Sequence, residues 1–253
     1  MVDEQVPASL LEKPIDISLP EDDASTKEAC EAVLEAISAA KNPSIFVDCL
    51  VDRHGARKEV RSLVEKLQFP IYSSNMGMGI IDETHPNYVG IYNGTVSSPG
   101  LADAFAKSDL VLVMGNLPCD TNTGGFSRKI PSEKSIEFNP TEVVVSSSGT
   151  LSCLVSLVDT QGQIKGSKTF SGVYYKTFFT LLQEKLSSIE LPKPSVPSLP
   201  EAPLEDDHEA TKITHSWIWK HVAEFLQPKD IVFGETGTAS WGIPDITFPP
   251  EVT

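Results

Sequence analysis

Residues 98–115 read SPGLADAFAKSDLVLVMG and contain a helix signal followed directly by a strand signal. Ser98 and Pro99 are typical of a helix N-cap and first helical position, and apolar residues follow them at helical spacing. The run DLVLVMG that ends the stretch is almost continuously apolar, which is typical of a strand buried on both faces. A helix that leads into such a strand is a repeating unit of parallel sheets.

The same alternation continues on both sides of this stretch. A capping-box pattern at Ser25 and Glu28 predicts a helix at about 25–41, and helical spacing predicts two more at about 60–67 and 174–186. Three further short apolar runs predict buried strands: SIFVDC at 44–49, FPIY at 69–72 and SIEFN at 135–139. We therefore predict an α/β fold with a largely parallel sheet and helices on both of its faces.

Two proline-rich segments divide the chain. The prolines among residues 1–20 indicate an interdomain linker, and the Pro-rich, acidic composition of residues 189–212 indicates a second one. Between them we expect a central α/β domain at 21–188. Beyond them, residues 213–253 predict a helix, then a strand, a turn and another helix start, as the opening of a second α/β domain. Within the central domain, the Ser- and Gly-rich stretch 143–171 matches no single period.

Charge and composition exclude several classes of partner. The chain has 253 residues, 20 Lys and Arg against 35 Asp and Glu, and a net charge of −15, so phosphate backbones and anionic membranes repel it. No apolar run approaches the roughly 18 to 20 residues of a membrane helix, and the N-terminus lacks a secretory signal. We expect a cytoplasmic protein that binds neither nucleic acid nor membrane.

Sequence motifs for common chemistries are missing. The four cysteines, at 30, 49, 119 and 153, form no C-x-x-C pair, and there is no dinucleotide fingerprint, P-loop, nucleophile elbow or H-E-x-x-H motif. These absences give hydrolase and zinc-site interpretations no support, and we predict no metal site within the chain. The acidic run at 206–209 favours a solvated linker over a cation site.

Three polar segments follow predicted strands, where α/β sheets bind ligands. GETGT at 234–238 predicts either a binding loop or a plain strand-to-helix turn, and DTNTGGF at 120–126 has the same two interpretations, with the structural one favoured. Arg53 and His54 could hold a small carboxylate or cap the helix region after them. Cys49 favours a core position over a redox role.

Six segments, in the same order along the chain, resemble fungal-type pyruvate decarboxylases, which are thiamine diphosphate-dependent 2-oxo-acid decarboxylases. In that family a pyrimidine-binding domain comes first, a central domain second and a diphosphate-binding domain last. The resemblance implies an internal fragment that holds the end of the first linker, the central domain, the second linker and the opening of the last domain. The segments are MVDEQVPASLLEKPIDISLP, VDCLVDRH, FPIYSSNMGMGIIDETHPNYVGIYNGT, SDLVLVMGNLPCDTNTGGFS, HSWIWKHVAEFL and GETGTASWGIPDITFP.

The resemblance implies roles for four residues. Thr236 and Thr238 match positions that begin to contact the cofactor, and Arg53 and His54 match positions of a regulatory pyruvate site at the domain boundary.

The chain departs from the family pattern at two places. Leu50 and Val51 stand where activatable members carry a cysteine pair, with Cys49 one place earlier, which puts thiol-mediated activation in doubt. The segment at about 146–165 exceeds the usual connection, as expected for an insertion or a gene-model error.

The family's catalytic histidines, activating glutamate and G-D-G…N magnesium motif find no match in these 253 residues. The resemblance implies that thiamine diphosphate and Mg²⁺ are held by the intact protein, a homodimer or homotetramer that acts on pyruvate or a related 2-oxo acid. We expect the chain alone to be inactive. The alternatives are a stand-alone, non-catalytic α/β module for ligand binding or subunit pairing and, within the family, a phenylpyruvate or indolepyruvate decarboxylase.

Overall fold

A seven-stranded sheet organises the first part of the chain in the computed structural model, which describes residues 7–12, 20–146, 167–200, 209 and 211–253. The strand order is β3-β2-β1-β4-β5-β6-β7; β1 to β5 pair in parallel, and β6 and β7 are antiparallel. The strands are β1 Pro43–Val47, β2 Ile71–Ser73, β3 Tyr88–Ile91, β4 Leu110–Met114, β5 Ser135–Asn139, β6 Glu142–Ser146 and β7 Ser167–Ser171.

Within the described residues, seven helices accompany the sheet, and short 3-10 turns connect many of the elements. The helices are α1 Asp23–Ala39, α2 Leu50–Arg53, α3 Arg57–Leu67, α4 Leu101–Ala106, α5 Tyr175–Lys185, α6 His215–Phe225 and α7 Thr238–Gly242. In the described parts of the chain, none of them combines the length and apolar character that a membrane span requires.

The predicted α/β fold is confirmed because the central strands bury side chains on both faces. Ile45 and Val47 of β1 pack with α1, α3 and α5, while Phe46 between them packs on the opposite face with α4. β4 repeats this division, since alternate residues of a strand point to opposite faces. Covering both faces explains why β1 and β4 are uninterrupted apolar runs.

Two predicted helix starts differ from the observed ones. The N-cap of α1 is Asp22, whose carboxylate accepts the N–H of Ser25 at 2.9 Å, and the backbone N–H of Asp22 donates to Gly172 O at 3.1 Å. This tertiary bond places the helix start before the predicted capping box. α4 begins after Gly100, which takes φ +79°, so Ser98 and Pro99 form the preceding turn.

The expected strand near 230–234 does not form. Val232 N–H donates to Thr253 O at 2.8 Å and Thr253 N–H donates to Asp230 O at 3.2 Å, but the segment joins no sheet in the described residues. Ile231 and Phe233 are therefore 66% and 91% exposed. A strand needs a neighbour for its backbone groups, and this part of the chain provides only the terminal residue.

Other sequence-based predictions have mixed outcomes. β6 and β7 begin and end the stretch for which no period was found, and the unusual segment at 146–165 lies outside the described residues except for Ser146, the last residue of β6. Residues 189–200 are extended, with Leu191 and Leu199 packed against the sheet domain. The three boundaries between the four predicted segments remain predictions.

Candidate functional site

The strand order reverses between β1 and β4. The chain runs from β1 outward to β2 and β3, and then crosses back to place β4 on the other side of β1. In open α/β sheets, ligands bind in the crevice outside the carboxyl ends of the two strands that flank such a reversal. Asp48, which follows β1, and Asn116, which follows β4, lie at this crevice.

Protein side chains fill the crevice themselves. The Asp48 carboxylate is fully buried and accepts hydrogen bonds from the backbone N–H groups of Cys49 at 2.6 Å and Leu117 at 2.9 Å. Asn122 Nδ2 lies 3.0 and 2.8 Å from its two oxygens, and the Ser74 hydroxyl donates to Oδ1. One carboxylate therefore ties together the loops that follow β1, β2 and β4.

Arg128 completes this network as the cation beside Asp48. Its Nη2 lies 3.5 Å from Asp48 Oδ2 and donates to Asn116 Oδ1 at 2.7 Å, while Nη1 donates to Asn122 O at 2.7 Å. The guanidinium also lies 4.6 Å from the ring centre of Phe46. Burial lowers the pKa of Arg128, and the Asp48 charge opposes that effect. Asn122, in the DTNTGGF segment at 120–126, thus binds both Asp48 and Arg128 and has a structural role in this network.

An open cavity lies beside the filled crevice. Its volume is about 350 Å³, and its walls come from the loop after β2, from Thr121 and from the C-terminal segment. Asn75 and Met76 face the cavity from the β2 side, and Trp241 lines it from the C-terminal side. The cavity is thus formed jointly by the sheet domain and residues 232–253.

The cavity lining is neutral, which limits its chemistry. Among the described residues, the cavity lining contains no Asp, Glu, Lys, Arg or His side chain, and its polar side chains are those of Asn75, Thr121, Thr236, Ser240, Trp241 and Thr253. Asn75 Oδ1 is buried without a hydrogen-bond partner among the described residues. The cavity can hold a neutral polar or aromatic group, but the described side chains that line it offer no cation for a phosphate and no carboxylate for a divalent metal.

The structure separates the two predicted pairs of site residues. Thr236 lines the cavity, and Thr238 begins α7; both are exposed. Arg53 and His54 are exposed at the end of α2 and do not line the cavity. The His54 ring contacts Tyr175 of α5 edge-on, with ring centres 6.1 Å apart.

Cys49 lies in the core, in agreement with the favoured interpretation. Its side chain is 5% exposed, and burial together with the neighbouring Asp48 charge raises its pKa to about 12. The thiol is therefore neutral and unreactive at physiological pH. In the described parts of the chain, no group of three or more His, Cys, Asp or Glu side chains could hold a metal ion.

Sequence reasoning missed the residues that organise this region. Asn122 and Arg128 lie 74 and 80 positions after Asp48 along the chain, and no local motif connects the three residues. The available signal was positional: a carboxylate directly after a buried strand must find donors or a cation.

Comparisons with known proteins agree along most of the chain. Residues 30–153 match the family model for the thiamine pyrophosphate enzyme central domain. The chain is 38% identical over 252 residues to the pyruvate decarboxylase of Kluyveromyces marxianus, covering 98% of this chain and 41% of the yeast protein. It is 35% identical over 254 residues to pyruvate decarboxylase isozyme 2 of Saccharomyces cerevisiae, covering 100% of this chain and 42% of that protein. The chain thus spans about two fifths of the length of these relatives.

Proposed function

We infer that this chain, whose residues 30–153 match the family model for the thiamine pyrophosphate enzyme central domain, is a segment of a pyruvate decarboxylase. The observation that carries this inference is the 38% identity to a protein named pyruvate decarboxylase across 98% of the chain. The intact protein would be a carboxy-lyase that converts pyruvate to acetaldehyde and carbon dioxide, or acts in the same way on a larger 2-oxo acid.

The filled crevice supports a structural role for this sheet. Asp48, Asn122 and Arg128 occupy the place where related sheets bind nucleotides, so the central domain has no free ligand site at its strand reversal. We propose that it connects and positions the cofactor-binding domains of the intact enzyme.

The residues present do not form a complete site for thiamine diphosphate. Thr236 and Thr238 offer neutral hydrogen bonds, each contributing about 0.5 to 1.5 kcal/mol, whereas micromolar affinity requires about 8 kcal/mol. The described side chains that line the cavity supply neither a cation for the diphosphate nor an acidic ligand for Mg²⁺. We propose that both are held by the intact protein, with these two threonines contributing hydroxyl groups, and that the 253-residue chain alone is inactive.

Arg53 and His54 are proposed as a regulatory site for the carboxylate of the 2-oxo acid. Both side chains are exposed, and the Lys176 ammonium lies near them, since its Nζ is 3.5 Å from the point where a Cβ on Gly55 would be. Three basic groups around one exposed turn suit a small carboxylate.

Activation through a thiol is not supported at this site. Val51 is fully buried, Leu50 has no reactive group, and the neighbouring Cys49 is held neutral by burial. We propose that any substrate activation operates through the basic groups instead.

Exposed apolar side chains support a larger assembly. Phe225, Ile231 and Phe233 are between 66% and 91% exposed in residues 211–253. Further polypeptide, from the same subunit or another one, would cover them. We propose a homodimer or homotetramer for the intact protein, with a cytoplasmic location.

Immunoprecipitation tests the proposed function. An antibody against residues 54–67 is expected to capture a protein well above 27.5 kDa that forms acetaldehyde from pyruvate when thiamine diphosphate and Mg²⁺ are added. Phenylpyruvate and indolepyruvate serve as competing substrates. The proposal is overturned if the captured protein has no 2-oxo-acid decarboxylase activity. Acetaldehyde formation by the purified 253-residue chain would overturn the proposed inactivity of the segment.

The regulatory proposal needs a separate test in the intact enzyme. Arg53→Gln should raise the pyruvate concentration needed for half-maximal activity, with little change in the maximal rate. Arg57→Gln is the matched control, because Arg57 is already paired with Asp52 at 2.7 Å. Equal effects of the two substitutions would contradict a specific role for Arg53.

A further inference from the structure

One buried carboxylate joins the sheet domain to the C-terminal segment. Glu83, between β2 and β3, is 8% exposed, and its Oε2 accepts the backbone N–H of Phe248 at 3.0 Å. The two residues are 165 positions apart. Phe248 belongs to an apolar cluster with Ile246 and Val252, against which Met78 packs from the β2 loop.

The backbones on the two sides of this contact approach closely. Gly79 takes φ +70°, and a Cβ there would lie 2.8 Å from Thr253 Cα and 2.9 Å from Val252 O. Arg61 of α3 holds the same loop from behind, because its guanidinium donates to Gly79 O and Ile80 O. The β2 loop therefore presents a rigid surface to residues 246–253.

Glu83 has no cationic partner among the described residues, and its Oε1 is buried without a hydrogen bond. The pKa of Glu83 is raised to about 7, and burial is the largest cause of this rise. The Asp82 charge adds to the rise, whereas the N–H groups of Phe248 and Gly79 oppose it. Tyr88 faces Glu83 from β3. The Arg61 guanidinium binds the two loop carbonyls, and the charges that act on it are those of Arg57, Asp82, Asp52 and Glu251.

We propose that Glu83 is a proton-linked clasp, which seats residues 246–253 on the sheet domain more tightly when its carboxyl is protonated. The proton would occupy the unpartnered Oε1, while Oε2 continues to accept the Phe248 N–H. Because Phe248 and Thr253 of the seated segment line the cavity, Glu83 acts as a positioning residue for this wall. The inference concerns contacts within this chain and does not depend on the proposed decarboxylase activity.

The direction of the pH dependence follows from the two environments of the carboxyl. When residues 246–253 are unseated, Glu83 meets water and ionises near its ordinary pKa of 4.5. When they are seated, Glu83 is buried and its pKa is about 7. Seating is therefore strongest below about pH 4.5, weakens as the pH rises, and reaches its minimum above about pH 7. The displacement of about 2.5 pH units limits the effect to about 300-fold, of which about 30-fold falls between about pH 5.5 and 8.5.

The three tryptophans provide a selective signal, because Trp217, Trp219 and Trp241 all lie in residues 211–253, the C-terminal segment that ends in the seated residues. Urea titrations of the full chain at about pH 5.5 and 8.5, followed by tryptophan fluorescence, measure the release of this segment. Far-ultraviolet circular dichroism follows the sheet domain in the same samples. Trp241→Phe identifies the fluorescence change that arises at the cavity, which Trp241 lines.

Two substitutions separate the proton from the hydrogen bond. Glu83→Gln is permanently neutral and can still accept the Phe248 N–H, so its fluorescence transition should lose the 30-fold pH dependence and stay at the tightly seated position. Glu83→Ala removes the acceptor and should release the segment earlier at both pH values. Glu133→Gln, at an exposed site, is the matched control and should behave as the wild type.

The comparison of Glu83→Gln with the wild type also removes other titrating groups, such as Glu137, whose pKa burial raises as well. Equal pH dependence in the two proteins would overturn the proposal. So would a wild-type fluorescence transition that does not move with pH. A Glu83→Ala protein with wild-type circular dichroism and a Glu83→Gln-like fluorescence transition would overturn the hydrogen-bond part.

Discussion

The Asp48→Asn substitution tests whether the filled crevice holds the sheet domain together. The two side chains have almost the same shape, so any loss of stability comes from charge and hydrogen bonding rather than from a cavity. Asp48 offers two acceptor oxygens to five donor groups, whereas an amide offers one oxygen and points an NH₂ group at the other donors.

The magnitude follows from which donors lose their partner. The new NH₂ group is best placed toward Ser74, whose hydroxyl can reverse its role, but the Cys49 N–H on the same side then stays unpaired and buried. An unsatisfied buried donor costs about 1 to 3 kcal/mol. The Arg128 charge also loses its anion, and breaking a buried ion pair costs about 3 to 5 kcal/mol. Because Arg128 keeps two good acceptors, we expect a total near the lower end of the summed range, about 4 to 5 kcal/mol.

Urea unfolding followed by circular dichroism at pH 7 measures this loss of free energy of unfolding. Asp103→Asn is the matched control: Asp103 is exposed in the first turn of α4, so its substitution should cost less than about 0.5 kcal/mol. A double-mutant cycle with Arg128→Met should show a coupling energy above about 1 kcal/mol. A cost below about 1 kcal/mol for Asp48→Asn would refute the argument that this network holds the crevice.

Three further substitutions or modifications probe other parts of the structure. Gly79→Ala should loosen the C-terminal segment by about 1 to 3 kcal/mol, because its Cβ meets the Thr253 backbone at φ +70°; an unchanged tryptophan transition in urea would contradict this. In a Cys153→Ser variant, iodoacetamide at pH 8 should label Cys119, which is partly exposed, and leave Cys49 unmodified, as mass spectrometry of the peptides would show; labelling of Cys49 in the folded chain would be the opposing result. Phe105→Ala should cost about 3 to 5 kcal/mol of unfolding free energy, because its ring stacks on Tyr92, with ring centres 4.3 Å apart, in the apolar cluster on the α4 face of the sheet. A cost below about 1 kcal/mol, which is typical of Ile→Val changes, would argue against this packing.

The fold class was predictable because its signals are local. Buried parallel strands must be apolar on both faces, so β1 and β4 stand out as short continuous runs between helical patterns. β6 and β7 escaped prediction because they depend on antiparallel pairing with β5 rather than on a strong pattern of their own. The opposite error occurred near residue 231, where a good strand pattern has no sheet to join among the described residues.

Locations of the candidate site residues were only partly predictable. GETGT at 234–238 was identified as a candidate from its place after an apolar run, and Thr236 does line the cavity. The opposite wall of the cavity comes from Asn75 and Met76, and no sequence motif connects these residues to GETGT. Arg53 and His54 lie after β1 as expected, yet on a surface turn beside α5.

By itself, the sequence determined the main helices, the buried parallel strands β1, β2, β4 and β5, and that the sheet is covered on both faces, because hydrophobic periodicity is a property of neighbouring residues. Only the tertiary structure decided that Asp48 meets Arg128 inside the crevice and that Glu83 meets Phe248 beneath the C-terminal segment. The physical reason is that burying a charge is favourable only where donors or cations converge on it, and here those groups come from loops 80 and 165 positions away.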